Sequence, residues 1–370
     1  MIVDFVPLTP SLLPACKAFN KRLRGRGDPP FLLPDEIGAA AALCGGSAGI
    51  PSAQYLALDR DGAVRGGVLL LEQRGWIGGN EVRLTNAQSP LSEGIADSRF
   101  AGVGLQIVKL IERRSPYAYA VGMGSEQMPF PRLLRSCGWS VSAIPFFFAV
   151  GSAARFLGQI GILRRGARGW LAQGLAVSGL GSLGLAAWQS AHVPQFTRLY
   201  SLETAHSWPE NLNAVWERCR TEVSFSLLRD EPSLADLYPD SQPRLKRFVL
   251  CFDGAVVGWS VALVTKMHSH PHFGNLTVGT ILDGLASGEH VDALAALTCS
   301  AVREMGAELL LTNQAHLNWR SALRRLGFIS YSSNYLVALS KPLAEALQSQ
   351  PGALDRIHVN RGDGDGRIHL

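Results

Sequence analysis

The sequence predicts an α/β chain of two tandem domains with a helical insert between them. The first observation is that one order of strand-like and helix-like segments runs twice, over residues 1–150 and 195–342. The second is that each run carries a tight hairpin signal, Asp59-Arg60-Asp61-Gly62 and then Phe252-Asp253-Gly254-Ala255. The third is that each run closes a helix on the same pattern, Cys137-Gly138-Trp139 and Leu326-Gly327-Phe328. A chain of 370 residues, 47% hydrophobic and 18% charged, has enough apolar material for two sizeable cores and is too apolar for a disordered chain.

The elements follow in order. Ile2 to Leu8 reads as a strand and Pro10 to Arg24 as a helix. Tyr55 to Asp59 and Val64 to Glu72 read as the two strands of the first hairpin, and Glu81 to Ala87 as the next strand. An apolar helix spans Val103 to Arg113, a strand Tyr117 to Val121, a helix Pro129 to Ser136, and one apolar strand Ala143 to Val150. In the second run, Phe196 to Tyr200 is a strand and Asn211 to Arg220 a helix. Arg247 to Phe252 and Val256 to Val264 are the second hairpin, and Leu276 to Leu282 is a strand. Val291 to Met305 is a helix, with Val291, Leu294, Leu297, Ala301, Val302 and Met305 on one apolar face. A strand at Glu308 to Thr312, a helix at Trp319 to Arg325 and a strand pair within Ile329 to Leu339 complete the run.

The stretch with the most chemical content is Arg99-Phe100-Ala101-Gly102-Val103-Gly104, which follows a strand and opens a helix. A helix start offers N–H groups that lack internal acceptors, and the peptide dipoles add partial positive charge there. Two glycines permit close approach, and Arg99 adds a planar fork of donors. Such a place suits a pyrophosphate. The spacing R-x-x-G-x-G and the element order around it resemble the GNAT superfamily of N-acyltransferases. The resemblance covers residues 1–150 and 195–342 and implies two tandem domains, each a central mixed sheet flanked by helices. It further implies that Arg99, Phe100, Ala101, Gly102, Val103 and Gly104 hold acetyl-CoA or another acyl-CoA as substrate.

The resemblance also frames the catalytic residues. In GNAT enzymes the acceptor amine attacks the thioester directly, backbone N–H groups polarise the carbonyl, and a carboxylate removes the amine proton. Glu93, six residues before Arg99, and Glu126, after Gly122-Met123-Gly124 and facing the same cleft, are the candidates; Glu93 also reads as a solvated loop acid. Asp97 and Glu81 are further acids near the same segments. The tyrosine that often protonates the thiolate is replaced by Leu134 in the first run and by Leu323 in the second.

The second run has no R-x-x-G-x-G. Leu285-Ala286-Ser287-Gly288-Glu289-His290-Val291-Asp292 puts acids where a pyrophosphate would lie, so it reads as a degenerate copy that does not bind coenzyme A. The insert, 151–194, starts with Arg155, Arg164, Arg165 and Arg168 and continues without a charged side chain from Gly169 to Val193. It reads as a helix pair packed on the domains, with a membrane-surface anchor through residues 164–193 or a true span as the alternatives. Residues 343–370 form a C-terminal tail, and the part from Gln350 reads as a mobile end.

The other features assign no chemistry. Six cysteines without a CxxC, and a start without a basic, apolar leader, fit reduced thiols in a cytoplasm, with a peripheral place at the inner membrane as an extension. The imidazoles of His268, His270 and His272 read as a solvated loop, and no metal site is expected. The net charge of +5 selects no partner, and basic residues are not interleaved with aromatics, so no nucleic acid is expected. Tandem halves joined by a helical insert resemble bacterial transferases that act on envelope sugars or peptidoglycan precursors, the Fem-type enzymes included. The expectation is an acyl-CoA-dependent N-acyltransferase whose amine acceptor is a small molecule or glycan precursor, such as an amino sugar. The alternative is a non-catalytic module that binds coenzyme A or a glycan precursor and assists a partner enzyme.

Overall fold

A computed structural model describes residues 3–26, 31–36, 50–151 and 199–364. The expected insert lies outside the described residues from residue 152 on, as does the start of the strand expected at Phe196. In chain order the first half forms β1 (Asp4–Pro7), α1 (Leu13–Arg24), β2 (Ser52–Leu58), β3 (Val64–Ile77), β4 (Asn80–Ser92), α2 (Gly102–Arg114), β5 (Ala118–Val121), α3 (Pro129–Ser136), β6 (Ser140–Ala143) and β7 (Phe146–Val150). The second half forms β8 (Tyr200–Ala205), α4 (Leu212–Cys219), β9 (Phe225–Leu227), α5 (Glu231–Leu237), β10 (Leu245–Phe252), β11 (Ala255–Lys266), β12 (Thr277–Ala286), α6 (Val291–Glu304), β13 (Leu309–Asn313), α7 (Leu317–Arg325), β14 (Ile329–Tyr331), β15 (Leu336–Leu339), α8 (Lys341–Gln348) and β16 (Ile357–His358).

These elements divide into two compact units. Unit 1 is Met1–Ala143, Phe225–Leu228 and Ser333–Leu354; unit 2 is Ile144–Ser224, Arg229–Ser332 and Asp355–Leu370. The sheet of unit 1 runs β1-β2-β3-β4-β5-β15-β6, and β9 pairs with β3 at Gly75–Ile77. The sheet of unit 2 runs β14-β7-β13-β12-β11-β10-β8. Each path holds one parallel pair, β4 with β5 and β12 with β13, and is antiparallel elsewhere. The repeat legible in the sequence is therefore a repeat of sheet topology.

The predicted hairpin turns form for the expected reasons. Asp59 Oδ1 accepts the N–H groups of Asp61 and Ala63, and Gly62 takes a positive φ of 74°. In unit 2, Asp253 and Gly254 both have positive φ, the pair of conformations that a tight two-residue hairpin requires. Helix α2 turns Val103, Ile107, Val108 and Ile111 onto the sheet of unit 1, where they meet Val68, Leu70, Ala87, Leu134 and Trp139. On the opposite face, α1 buries Cys16, Phe19 and Leu23 against Leu56, Val64 and Leu91. Asn20 on α1 is buried as well, and its side-chain amide exchanges two hydrogen bonds with the backbone of Leu33.

Two expectations fail in the same way. The apolar run Ala143–Val150 is two strands, because Pro145 has no N–H to continue a ladder. Strand β6 stays in unit 1 beside β15, and β7 enters unit 2 between β14 and β13. The run Ile329–Leu339 likewise is not a strand pair: β14 joins β7 in unit 2, whereas β15 lies between β5 and β6 in unit 1. Each sheet thus takes a strand from the other half of the sequence. The segment expected as a mobile end is folded through Gly364, with Ile357, His358, Val359, Asn360 and Asp363 buried.

Candidate active site

Strand β4 leads into the Arg99–Gly104 loop and sets its geometry. β4 and β5 are paired only at Thr85–Ala118 and Asn86–Tyr119. Just beyond, the register of β4 against β3 shifts, and Ser89 takes φ 46° in the bulge. A bulge bends its strand and sharpens its twist, so β4 leaves β5 at this point. Two short 3-10 turns follow, Glu93–Ile95 and Ser98–Phe100, before α2 starts at Gly102. Ser92 Oγ accepts the Gly94 N–H and Asp97 Oδ1 accepts the Arg99 N–H, which fixes both turns.

The two glycines of the motif have different duties. A Cβ on Gly102 would meet nothing within 4 Å, so the head of α2 faces open space there. A Cβ on Gly104 would stand 3.1 Å from Leu133 Cδ2, so Gly104 lets α2 approach α3. Gly94 is the tightest of the loop glycines, since a Cβ there would lie 2.7 Å from the Phe100 carbonyl oxygen. Gly102, Val103 and Gly104 open the helix, and N–H groups at such positions lack intrahelical acceptors. Arg99 is 75% exposed and pairs with Asp97, Nη2 to Oδ2 at 2.6 Å; Arg26 joins the same carboxylate at 2.7 Å. Hydrogen bonds from Arg99 and then Arg26 hold Asp97 well below the usual carboxylate range.

Glu93 is in the loop but is not free. It is 1% exposed, and Arg22 and Arg65 take its two oxygens at 3.0 and 2.9 Å. Burial alone would raise its pKa; the hydrogen bonds from Arg22 and Arg65 outweigh burial and lower it. A carboxylate held this way is a weak proton acceptor and a strong anchor. Arg65 continues the chain of contacts, pairing with Asp59 at 2.7 Å and lying 4.3 Å over the Phe100 ring. Arg22 and Arg65 are the residues that sequence reasoning missed. They stand 71 and 28 positions from Glu93, and no local pattern marks them.

The remaining sequence candidates are scattered. Glu126 follows β5 after Gly122 and Gly124, both at φ 78°, and its half-exposed carboxylate pairs with Arg135 at 3.0 Å. Glu81 opens β4, while Glu93 follows its end. At ~3.3 Å per residue the two are on the order of 40 Å apart, and Glu81 pairs instead with Arg74. Leu134 and Leu323, at the positions of the expected tyrosine, are both fully buried core residues. The ring of His270 stacks on Phe273 and accepts the N–H groups of His272 and Phe273. Among the described residues no group of His, Cys, Asp and Glu is placed to hold a metal ion, and no helix is long and apolar enough to cross a membrane.

Among the described residues of unit 2, no such loop stands before α6. Asp292 pairs with Arg325 at 2.5 Å, and Glu289 Oε1 lies 3.5 Å from His290 Nε2.

No protein-family model matches the sequence, and no curated protein is similar to it. Solved structures are similar in fold. A GCN5-related N-acetyltransferase from Anabaena variabilis matches with a TM-score of 0.55 at 11% identity, over 94% of this chain and 75% of that one. A conserved protein of unknown function from Enterococcus faecalis matches at 0.54 and 10% identity, over 95% and 75%. Saccharomyces cerevisiae N-myristoyltransferase with bound myristoyl-CoA matches at 0.51 and 10% identity, over 92% and 82%. The chain has the GNAT fold in tandem, as its two sheet paths independently indicate.

Proposed function

We propose that unit 1 binds an acyl-coenzyme A at the head of α2 and transfers its acyl group to an amine. One observation carries this reading: the bulged end of β4 parts from β5 and leads through two short turns to a helix head with Arg99 beside it and open space at Gly102. In this reading the pyrophosphate accepts the N–H groups at Gly102–Gly104 and draws Arg99 from Asp97. The acyl carbonyl lies along the edge of β4 beyond Asn86, where backbone N–H groups polarise it. The amine attacks that carbon, the C–N bond forms, the C–S bond breaks and the thiolate departs. Leu134 offers it no proton.

Glu126 accepts the amine proton, directly or through water. Glu93 is given a different duty, because both of its oxygens are engaged: with Arg22 and Arg65 it holds the loop in register with β3 and α1. Support for the class of reaction comes from proteins of the same fold, one an N-acetyltransferase and one an N-myristoyltransferase.

The test is thiol release from acetyl- and myristoyl-coenzyme A by the full chain, with a panel of primary amines that includes amino sugars. Amine-dependent release is expected. Glu126→Gln lowers kcat by ~10²-fold or more while the thioester still binds, as removal of a general base does. Binding with no release from any amine would contradict catalysis and leave a binding module. No binding at all would contradict the whole reading.

A further inference from the structure

Unit 2 keeps the frame that unit 1 uses. Its parallel pair covers only Val278–Ile281 against Leu309–Thr312, and the register of β12 against β11 shifts directly afterwards. Strand β12 then runs through Asp283 to Ala286 toward the head of α6. The difference lies in what meets these two places.

Against the turn that leads into α6, at Gly288, two residues before the N-cap His290, stands a carboxylate of the chain itself. The Gly288 N–H donates to Glu222 Oε2 at 3.0 Å and to Oε1 at 3.2 Å, and Asn318 Nδ2 donates to Oε2 at 3.4 Å. A Cβ on Gly288 would lie 3.3 Å from Glu222 Oε2, whereas one on Gly102 meets nothing within 4 Å. The positive end of the α6 dipole favours an anion near this turn, and Glu222 supplies one through the Gly288 N–H.

The opening between β12 and β13 also holds a piece of the chain. On the β12 side, Asp283 Oδ1 accepts from Asn360 Nδ2 and lies 3.1 Å from His358 Nε2. Asp283 Oδ2 accepts the Tyr238 hydroxyl at 2.7 Å and lies 2.8 Å from Arg229 Nε. On the β13 side, the Ala315 N–H donates to the Val359 carbonyl at 3.0 Å, Gln314 bridges to Asn360, and Arg361 Nη1 donates to Asn313 Oδ1 at 3.2 Å. The segment is closed on itself by a capping box between Asn360 and Asp363, and Asp363 Oδ1 lies 2.6 Å from Arg229 Nη2. Arg229, Tyr238, Asp283 and Asn360 have no exposed surface. Burial opposes the Arg229 charge, and the nearby Asp283 and Asp363 carboxylates outweigh it and raise its pKa further. A ligand could enter between these strands only by uncovering this ionic group.

We propose that unit 2 is a self-occupied acyl-coenzyme A fold: Glu222 places an anion of the chain itself at the turn before α6, and residues 357–363 fill the opening between β12 and β13. The chain then takes one acyl-coenzyme A, in unit 1; this count rests on the reading of unit 1 above, whereas the self-occupation does not.

Hydrogen exchange on the full chain tests it, with acetyl-CoA as the probe. In the ligand-free protein, Gly288 and residues 357–363 exchange slowly. Glu222→Ala speeds exchange at Gly288 at least tenfold and leaves residues 93–105 as they were. Saturating acetyl-CoA slows exchange within 93–105 and changes neither 285–291 nor 357–363. The proposal is overturned if Gly288 exchanges as fast in the wild type as in Glu222→Ala, or if acetyl-CoA protects 285–291 or loosens 357–363. If acetyl-CoA changes no region, the reading of unit 1 fails, and the Glu222→Ala result alone decides the proposal for unit 2.

Discussion

Gly102 opens α2 and Gly288 lies in the turn before α6, and the two have opposite surroundings. A side chain at Gly102 would enter open space, whereas one at Gly288 would press on Glu222 and Asn318. Arg99 is an exposed cation paired with one carboxylate on the surface of unit 1; Arg229 is a fully buried cation between two carboxylates of unit 2. The difference teaches that the GNAT frame does not by itself make a ligand site. The frame creates donors at a helix head and an opening between two strands, and the local residues decide whether those are met from outside or from within. A copy that loses its ligand has to satisfy the same groups some other way, since unpaired polar groups are costly once buried.

The comparison can be broken most severely at Arg229. Arg229→Met leaves Asp283 and Asp363 buried without their cation, which costs about 3–5 kcal/mol when a buried pair loses one partner. Denaturant unfolding should show that loss. A change below ~1 kcal/mol would mean that water or rearrangement replaces the guanidinium.

The next effect separates the units by pH. His316 is buried, and burial, helped by the nearby His358, pushes its pKa down to about 4. An unfolded histidine titrates near ~6.5, so the folded state binds fewer protons in between. The stability that this neutral histidine contributes is present above pH ~6.5 and is lost as pH falls toward 4, on the order of 3 kcal/mol in all. Glu93 in unit 1 has a lowered pKa, so its contribution is present above ~4.3 and is lost only as pH falls through its lower folded value. Unfolding followed from pH 7 to 3 should therefore weaken unit 2 first. His316→Asn, which keeps an acceptor for the Asn318 N–H, should flatten the limb between pH 6.5 and 4. An unchanged limb in that variant would assign it to other groups.

Glu93→Gln tests the smaller contrast between anchor and base. Loss of an anchor loosens the loop, so KM for acetyl-CoA should rise by about tenfold, ~1.4 kcal/mol, with kcat nearly kept. A fall in kcat of ~10²-fold at unchanged KM would make Glu93 the base after all.

The parts legible in the sequence are those written locally. Asp59–Gly62 and Asp253–Gly254 mark their turns within a few residues, the apolar face of α2 repeats along one helix, and Arg99–Gly104 sits in one loop. Strand exchange was not legible, because β7 and β15 are apolar strands that fit either sheet, and only Pro145 hinted at a break. The partners of Glu93 come from α1 and β3, and Glu222 reaches Gly288 across 66 positions. Asp363 looked like part of a polar, glycine-rich end because its partner, Arg229, is 134 positions away. Charge in such a segment reads as solvation until the fold supplies the opposite charge.

Titration of the full chain with acetyl-CoA, by calorimetry, tests the central claim most directly. One site per chain is expected, weakened at least 100-fold by Gly102→Asp, which sets a negative charge in the open space at the head of α2, and unmoved by Glu222→Ala. Two sites per chain, or one that survives Gly102→Asp and disappears in a unit 2 variant, would contradict the central claim.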